Sequence, residues 1–151
     1  MLHNFNVSWI PSYGPEMRGG TANCHVRISE HEIGTPVVDE IDILVAMYQP
    51  SLDKFENDVK AGGLILYNST MTNNPPKRKD ITAVGIAVTE IAQSLGTLKI
   101  ANMVMVGAFI EKTGLLDLDA LKSALEISIK NKSLIDLNLQ AIEKGMEEAN
   151  F

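Results

Sequence analysis

Cysteine occurs once in the 151 residues, at Cys24. A single thiol closes no internal disulfide and builds no thiolate-rich metal site, so the composition fits a reducing cytoplasm and excludes an iron–sulfur cluster held by this chain alone. Positive charge is also scarce: 13 Lys and Arg stand against 19 Asp and Glu, for a formal charge of -6. That balance repels phosphate backbones and anionic lipid surfaces and disfavours nucleic-acid and membrane-surface roles. No apolar run approaches the ~20 residues of a membrane span, and Met1-Leu2-His3-Asn4-Phe5-Asn6 lacks the basic and apolar regions of a signal peptide. The expectation is a soluble, cytoplasmic chain. Three motifs are missing as well. No Gly-x-Gly-x-x-Gly follows a strand, no Gly-x-Ser-x-Gly elbow occurs, and His3, His25 and His31 have no spacing that puts two ligands on one helical face. Cys24 and His25 are neighbours on an extended segment and point to opposite faces, so no metal site is expected.

What is present fits one globular domain over residues 1–151, with 45% hydrophobic and 21% charged residues. Val7-Ser8-Trp9-Ile10 reads as a strand entering a Pro/Gly-rich loop. From Ala22 to Ser29, Val26 and Ile28 alternate with His25 and Arg27, which predicts one solvated face. Ile41 to Tyr48 and Leu64 to Tyr67 are almost continuously apolar, the pattern of parallel strands in a sheet centre covered on both faces. Between them, Pro50 suits a first helical turn, and Leu52, Phe55 and Val59 follow at helical spacing until Gly62-Gly63 stops the helix. A polar segment from Thr72 to Asp80 leads to a fourth strand within Ile81 to Val88. Thr89 can cap a short helix that Gly96 ends, and Ile100 to Ile110 reads as a buried helix. Asp117 and Ser133 suit caps of two further helices, the last carrying Leu134, Leu137, Ile142 and Met146 toward the core. The fold class is α/β: an open, mostly parallel sheet with helices on both faces and C-terminal helices.

In such sheets ligands bind beyond the carboxyl ends of the strands. That rule selects Ser12-Tyr13-Gly14, Gln49, Asn68-Ser69 and Thr89-Glu90. All but Glu90 are uncharged hydrogen-bonding groups, better suited to holding a polar ligand or a neighbouring chain than to acid–base catalysis. The plainer alternative is that they cap helices and close turns. Arg18-Gly19-Gly20 could offer a guanidinium fork beside exposed backbone N–H groups, an arrangement suited to phosphate or carboxylate; alternatively Arg18 pairs with Glu16 or a partner chain. Lys77-Arg78-Lys79 reads first as a solvated loop, and Met103 and Met105 read as core.

The run Pro11-Ser12-Tyr13-Gly14-Pro15-Glu16-Met17-Arg18-Gly19-Gly20-Thr21-Ala22-Asn23-Cys24 resembles the gamma subunit, or gamma domain, of the 2-oxoacid:ferredoxin oxidoreductases. The resemblance continues through Ala46 to Phe55, Gly62 to Ser69 and Ala101 to Ala108, and it leans toward the 2-oxoglutarate and branched-chain (2-ketoisovalerate) types rather than the pyruvate type. It implies a Rossmann-like domain in an enzyme that decarboxylates a 2-oxoacid to its acyl-coenzyme A. In that complex thiamine diphosphate, magnesium and iron–sulfur clusters reside on other chains. The implied partners are alpha, beta and ferredoxin-like delta subunits, with ferredoxin as acceptor; a subunit built to be covered should also expose apolar surface, so a homodimer is expected in isolation. The resemblance implies cofactor-binding roles for Ser12, Tyr13, Gly14, Arg18, Gly19, Gly20, Gln49 and Asn68, in helping to position coenzyme A, and no catalytic residue. Family members carry a Gly-Gly-Gln-Gly turn ahead of the Trp-Ile-Pro-Ser strand, so an opening βα unit of about thirty residues is expected to be lacking here. The competing readings are a free-standing nucleotide binder and a purely structural interaction subunit.

Overall fold

The computed structural model describes residues 5–13, 22–35 and 37–150. Two separate sheets organise them. Strands β1 (Asn6–Tyr13) and β2 (Ala22–Ser29) form an antiparallel ribbon in which Asn6 lies opposite Ser29 and Tyr13 opposite Ala22. Strands β3 (Ile41–Ala46), β4 (Val59–Asn68) and β5 (Thr82–Ile86) form a parallel sheet in the order β3-β4-β5. Both apolar runs identified in the sequence are strands, but only β4 is central; β3 is an edge among the described residues. Its faces differ accordingly. Leu44 and Ala46 are buried, whereas Val45 is 41% exposed.

Helix α1 (Gln49–Phe55) has Pro50 in its first turn, as expected, and buries Leu52 against Leu44, Ala46 and Ile65. It is shorter than its apolar spacing predicts. A 3-10 turn over Glu56–Asp58 ends it, and Val59 already belongs to β4. Gly62-Gly63 therefore does not stop a helix. The pair lies inside β4, where the β3–β4 register shifts between Ile41 and Ile43, and Gly62 has φ of 79°, a conformation favoured by glycine. A Cβ on Gly63 would meet Val59 Cγ1 at 2.7 Å and the Lys60 carbonyl oxygen at 2.9 Å, so the irregular backbone leaves room for no side chain.

On the other face lie α2 (Val88–Ser94), α3 (Ala101–Thr113) and α5 (Ile135–Ala149), with α4 (Leu118–Ser128) between the last two in sequence. Leu66, Ile86, Val88, Ala92, Val104, Met105, Ala108 and Ala141 make the main core. Each large side chain fully buried there contributes about 1.5–3 kcal/mol relative to exposure. Met105 is packed as core, and Met103 lies against the same cluster. Helices α3 and α5 approach through glycine: a Cβ on Gly107 would overlap the Ile142 carbonyl oxygen, and one on Gly145 that of Val104. Asp117 caps α4, its Oδ1 accepting from Ala120 N at 2.6 Å. Ser133 does not cap α5. Asn131 caps the preceding 3-10 turn instead, accepting from Ser133 N, and α5 begins at Ile135. Ile142 is buried as expected, but Leu134 is 45% exposed because it falls in that turn rather than on the packed helical face.

Candidate functional site

The carboxyl ends of β3, β4 and β5 converge on a neutral hydrogen-bonding network. Asn68, the last residue of β4, is 2% exposed. Its Nδ2 donates to Thr89 Oγ1 at 2.8 Å and to the Met47 carbonyl at 3.4 Å, tying together the end of β4, the exit from β3 and the first turn of α2. Thr89 is thus inside α2 rather than at its cap, which Ala87 occupies; its hydroxyl is aimed at Asn68. Asn68 Oδ1 and the hydroxyls of Thr70 and Thr72 are buried without a partner among the described residues.

Gln49 opens α1 and clamps the polar loop that precedes β5. Its Nε2 donates to Asp53 Oδ1 at 2.7 Å and to the Asn74 carbonyl at 3.1 Å, and its Oε1 accepts from Asn74 N at 2.9 Å. Three of its four hydrogen-bonding positions are spent on the chain itself, which makes it a loop fastener. Asp53, Thr70, Thr72 and Asn74 were not expected in this region. No local pattern joins Gln49 to a residue 25 positions on.

Ions gather at the opposite edge, where the strands begin. Asp42 on β3 pairs with Lys60 on β4. Just ahead of β5, Arg78 holds Asp80 through two bonds, Nε to Oδ1 at 3.0 Å and Nη2 to Oδ2 at 2.6 Å, while Nη1 donates to the carbonyls of Glu56 and Val59. The side-chain hydrogen bond from Arg78 is the main reason the Asp80 carboxyl lies below the usual aspartate range, and the same bond raises Arg78. The bond to Asp42 likewise raises Lys60. The basic stretch Lys77-Arg78-Lys79 is therefore not uniformly solvated: Arg78 is a structural pin.

Ser12 and Tyr13 are paired within the β1–β2 ladder, opposite Asn23 and Ala22, and do not follow a strand of the parallel sheet. The strand-end rule does not apply to them, because it presumes membership of that sheet. Gly14, Arg18, Gly19 and Gly20 lie outside the described residues. Of the sequence-predicted groups the structure brings together Asn68 and Thr89, and it fixes Gln49 beside the neighbouring loop. A shallow depression lined by Ile91, Lys144, Glu147, Glu148 and Asn150 contains none of them. No group of three His, Cys, Asp or Glu residues that could hold a metal ion occurs among the described residues, and no helix among them is long and apolar enough to cross a membrane.

The family model for pyruvate ferredoxin/flavodoxin oxidoreductase matches residues 1–148. The ketoisovalerate oxidoreductase subunit VorA of Methanothermobacter marburgensis is 42% identical over 147 residues, which cover 95% of this chain and 30% of VorA. The 2-oxoglutarate synthase subunit KorC of Methanocaldococcus jannaschii is 36% identical over 140 residues, covering 91% of this chain and 74% of KorC. The keto/oxoacid ferredoxin oxidoreductase gamma subunit from Geobacter sulfurreducens superposes with a TM-score of 0.80 at 27% identity, over 96% of this chain and 80% of that one. This chain thus spans less than a third of VorA but most of the two shorter relatives. Sequence and fold agree: the chain belongs to the pyruvate ferredoxin/flavodoxin oxidoreductase family.

Proposed function

We propose that the chain is the gamma subunit of a multi-subunit 2-oxoacid:ferredoxin oxidoreductase of the ketoisovalerate or 2-oxoglutarate type, supplying structure and orientation rather than a reacting group. The observation that carries this reading is the 42% identity with VorA across 95% of the chain. The position of the charged groups supports it. The ion pairs Asp42–Lys60 and Arg78–Asp80 lie where the parallel strands begin, whereas the carboxyl edge holds the neutral Asn68–Thr89 pair and, beside the neighbouring loop, the uncharged Gln49.

The reaction releases carbon dioxide from a 2-oxoacid, joins the acyl group to the thiol of coenzyme A and passes the electron pair to ferredoxin. Thiamine diphosphate with magnesium supplies the carbanion chemistry, and iron–sulfur clusters carry the electrons. The donor set of this chain does not fit either metal group: it has one cysteine, and its described acids and histidines form no cluster of three. Those groups are assigned to the alpha, beta and delta chains.

For coenzyme A the fit differs by residue. Arg18 beside Gly19-Gly20 has the chemistry of a phosphate contact, flanked by Ser12, Tyr13 and Gly14. Asn68, buried to 2%, and Gln49, committed to Asn74, act as positioning residues for the strand-end loops rather than as contacts. Reconstitution tests the reading. Reduction of ferredoxin by 2-oxoacid and coenzyme A should require this chain together with its partners, and Arg18→Ala should raise the coenzyme A requirement or weaken association. Turnover of a 2-oxoacid, or tight binding of thiamine diphosphate, by the purified chain alone would sink it.

A further inference from the structure

The β1–β2 ribbon is inside out. In a two-stranded antiparallel ribbon packed on a protein body, the apolar face turns inward and the polar face meets water. Here Val7 lies opposite Ile28 and Trp9 opposite Val26, so these four side chains share one face. That face is the outer one: Val7 is 60% exposed, Trp9 65%, Val26 55% and Ile28 41%. Cys24, also exposed, extends it. The opposite face is turned toward the molecule. The His25 ring packs edge-on against Phe55 of α1, and Arg27 Nη1 donates to the carbonyls of Thr35 and Val37. The ribbon therefore turns His25 and Arg27 toward the chain itself and leaves Val7, Trp9, Val26 and Ile28 uncovered.

A contiguous apolar patch of this kind on a chain of net charge -6 marks a protein contact. Its composition is that of an interface core. Neither strand carries an acidic residue or a lysine, and the patch centres on the one tryptophan of the chain. The relatives indicate what covers it. The same domain makes up 30% of VorA, where it is covalently joined to a larger body, and 74% of KorC, which has little else. A domain that is fused in one relative keeps its neighbour at hand through the peptide chain. Where it is a separate chain, a surface must do that work, and the ribbon offers a contiguous apolar face with four exposed side chains for it.

We infer that the Val7/Trp9/Val26/Ile28 face docks this chain onto the separate subunit that corresponds to the rest of VorA. The inference rests on the subunit reading given above. Trp9 reports on it directly: the chain, labelled with 5-fluorotryptophan, gives one ¹⁹F resonance whose H2O/D2O isotope shift measures solvent contact. On titration with that unlabelled subunit from the same organism, the isotope shift should disappear. The double substitution Trp9→Lys with Val26→Lys should weaken association at least tenfold while the circular dichroism of the free chain is unchanged. Assembly with the Trp9 shift intact, or equal affinity of the double variant, overturns the docking face and leaves the subunit reading standing. No assembly of the wild-type chains overturns both. Shielding of Trp9 in the chain alone, with nothing added by the subunit, assigns the face to a second copy and overturns the proposal.

Discussion

The parallel sheet and the β1–β2 ribbon are built from similar residues and treated oppositely. In the sheet, Ile65, Leu66 and Ile86 are fully buried between α1 on one face and α2, α3 and α5 on the other. In the ribbon, Val7, Trp9, Val26 and Ile28 stay in solvent while His25 and Arg27 are drawn inward. Apolar content thus states that a surface is to be covered. It does not state by what, and the sheet finds its cover within the chain whereas the ribbon does not.

Stability measurements can break this comparison. Leu66→Ala, at 0% exposure, should cost about 4 kcal/mol in urea unfolding through lost burial and a residual cavity. Gly145→Ala should cost about 3 kcal/mol, because the new methyl overlaps the Val104 carbonyl and forces α3 and α5 apart. Gly63→Ala, with contacts at 2.7 and 2.9 Å to relieve, should cost about 2 kcal/mol by the same unfolding assay. Trp9→Ser should change the free chain by no more than about 0.5 kcal/mol, as for other exposed positions. A ribbon substitution as costly as Leu66→Ala would erase the distinction.

The smallest effect is one of pH. Asp80 has its folded value depressed by Arg78, so its contribution is complete above the ordinary aspartate range and is lost as pH falls through the lowered value. Thermal midpoints of Asp80→Asn should lie below those of the wild type at neutral pH and converge with them in acid. A gap that widens in acid would contradict the pairing.

Local features were legible before the structure. Asp117 caps α4 because its carboxylate needs only the N–H of Ala120, three residues away. Ser133 failed at the same task because Asn131, two residues earlier, accepts its N–H first and sets a 3-10 turn in the way. The spacing of Leu52, Phe55 and Val59 matched a helix, yet Val59 is a strand residue: three apolar positions do not distinguish a long helix from a short one followed by a strand. Gln49 and Asn74 illustrate the other limit. Each is an ordinary polar residue until the fold brings them together.

The residue order alone determined the α/β class, most of the strands and helices, the single thiol and the motif of the Pro/Gly run, because these depend on composition and short-range periodicity. Only the tertiary structure decided which face of β2 is inner, that β3 lies at an edge among the described residues, that Gly62-Gly63 serves a shift of strand register and that Arg78 is a pin. For β2 and Arg78 the physical reason is the same. A period says that two faces differ, but which face turns inward depends on groups remote in sequence: Phe55 for His25, the Thr35 and Val37 carbonyls for Arg27, and those of Glu56 and Val59 for Arg78.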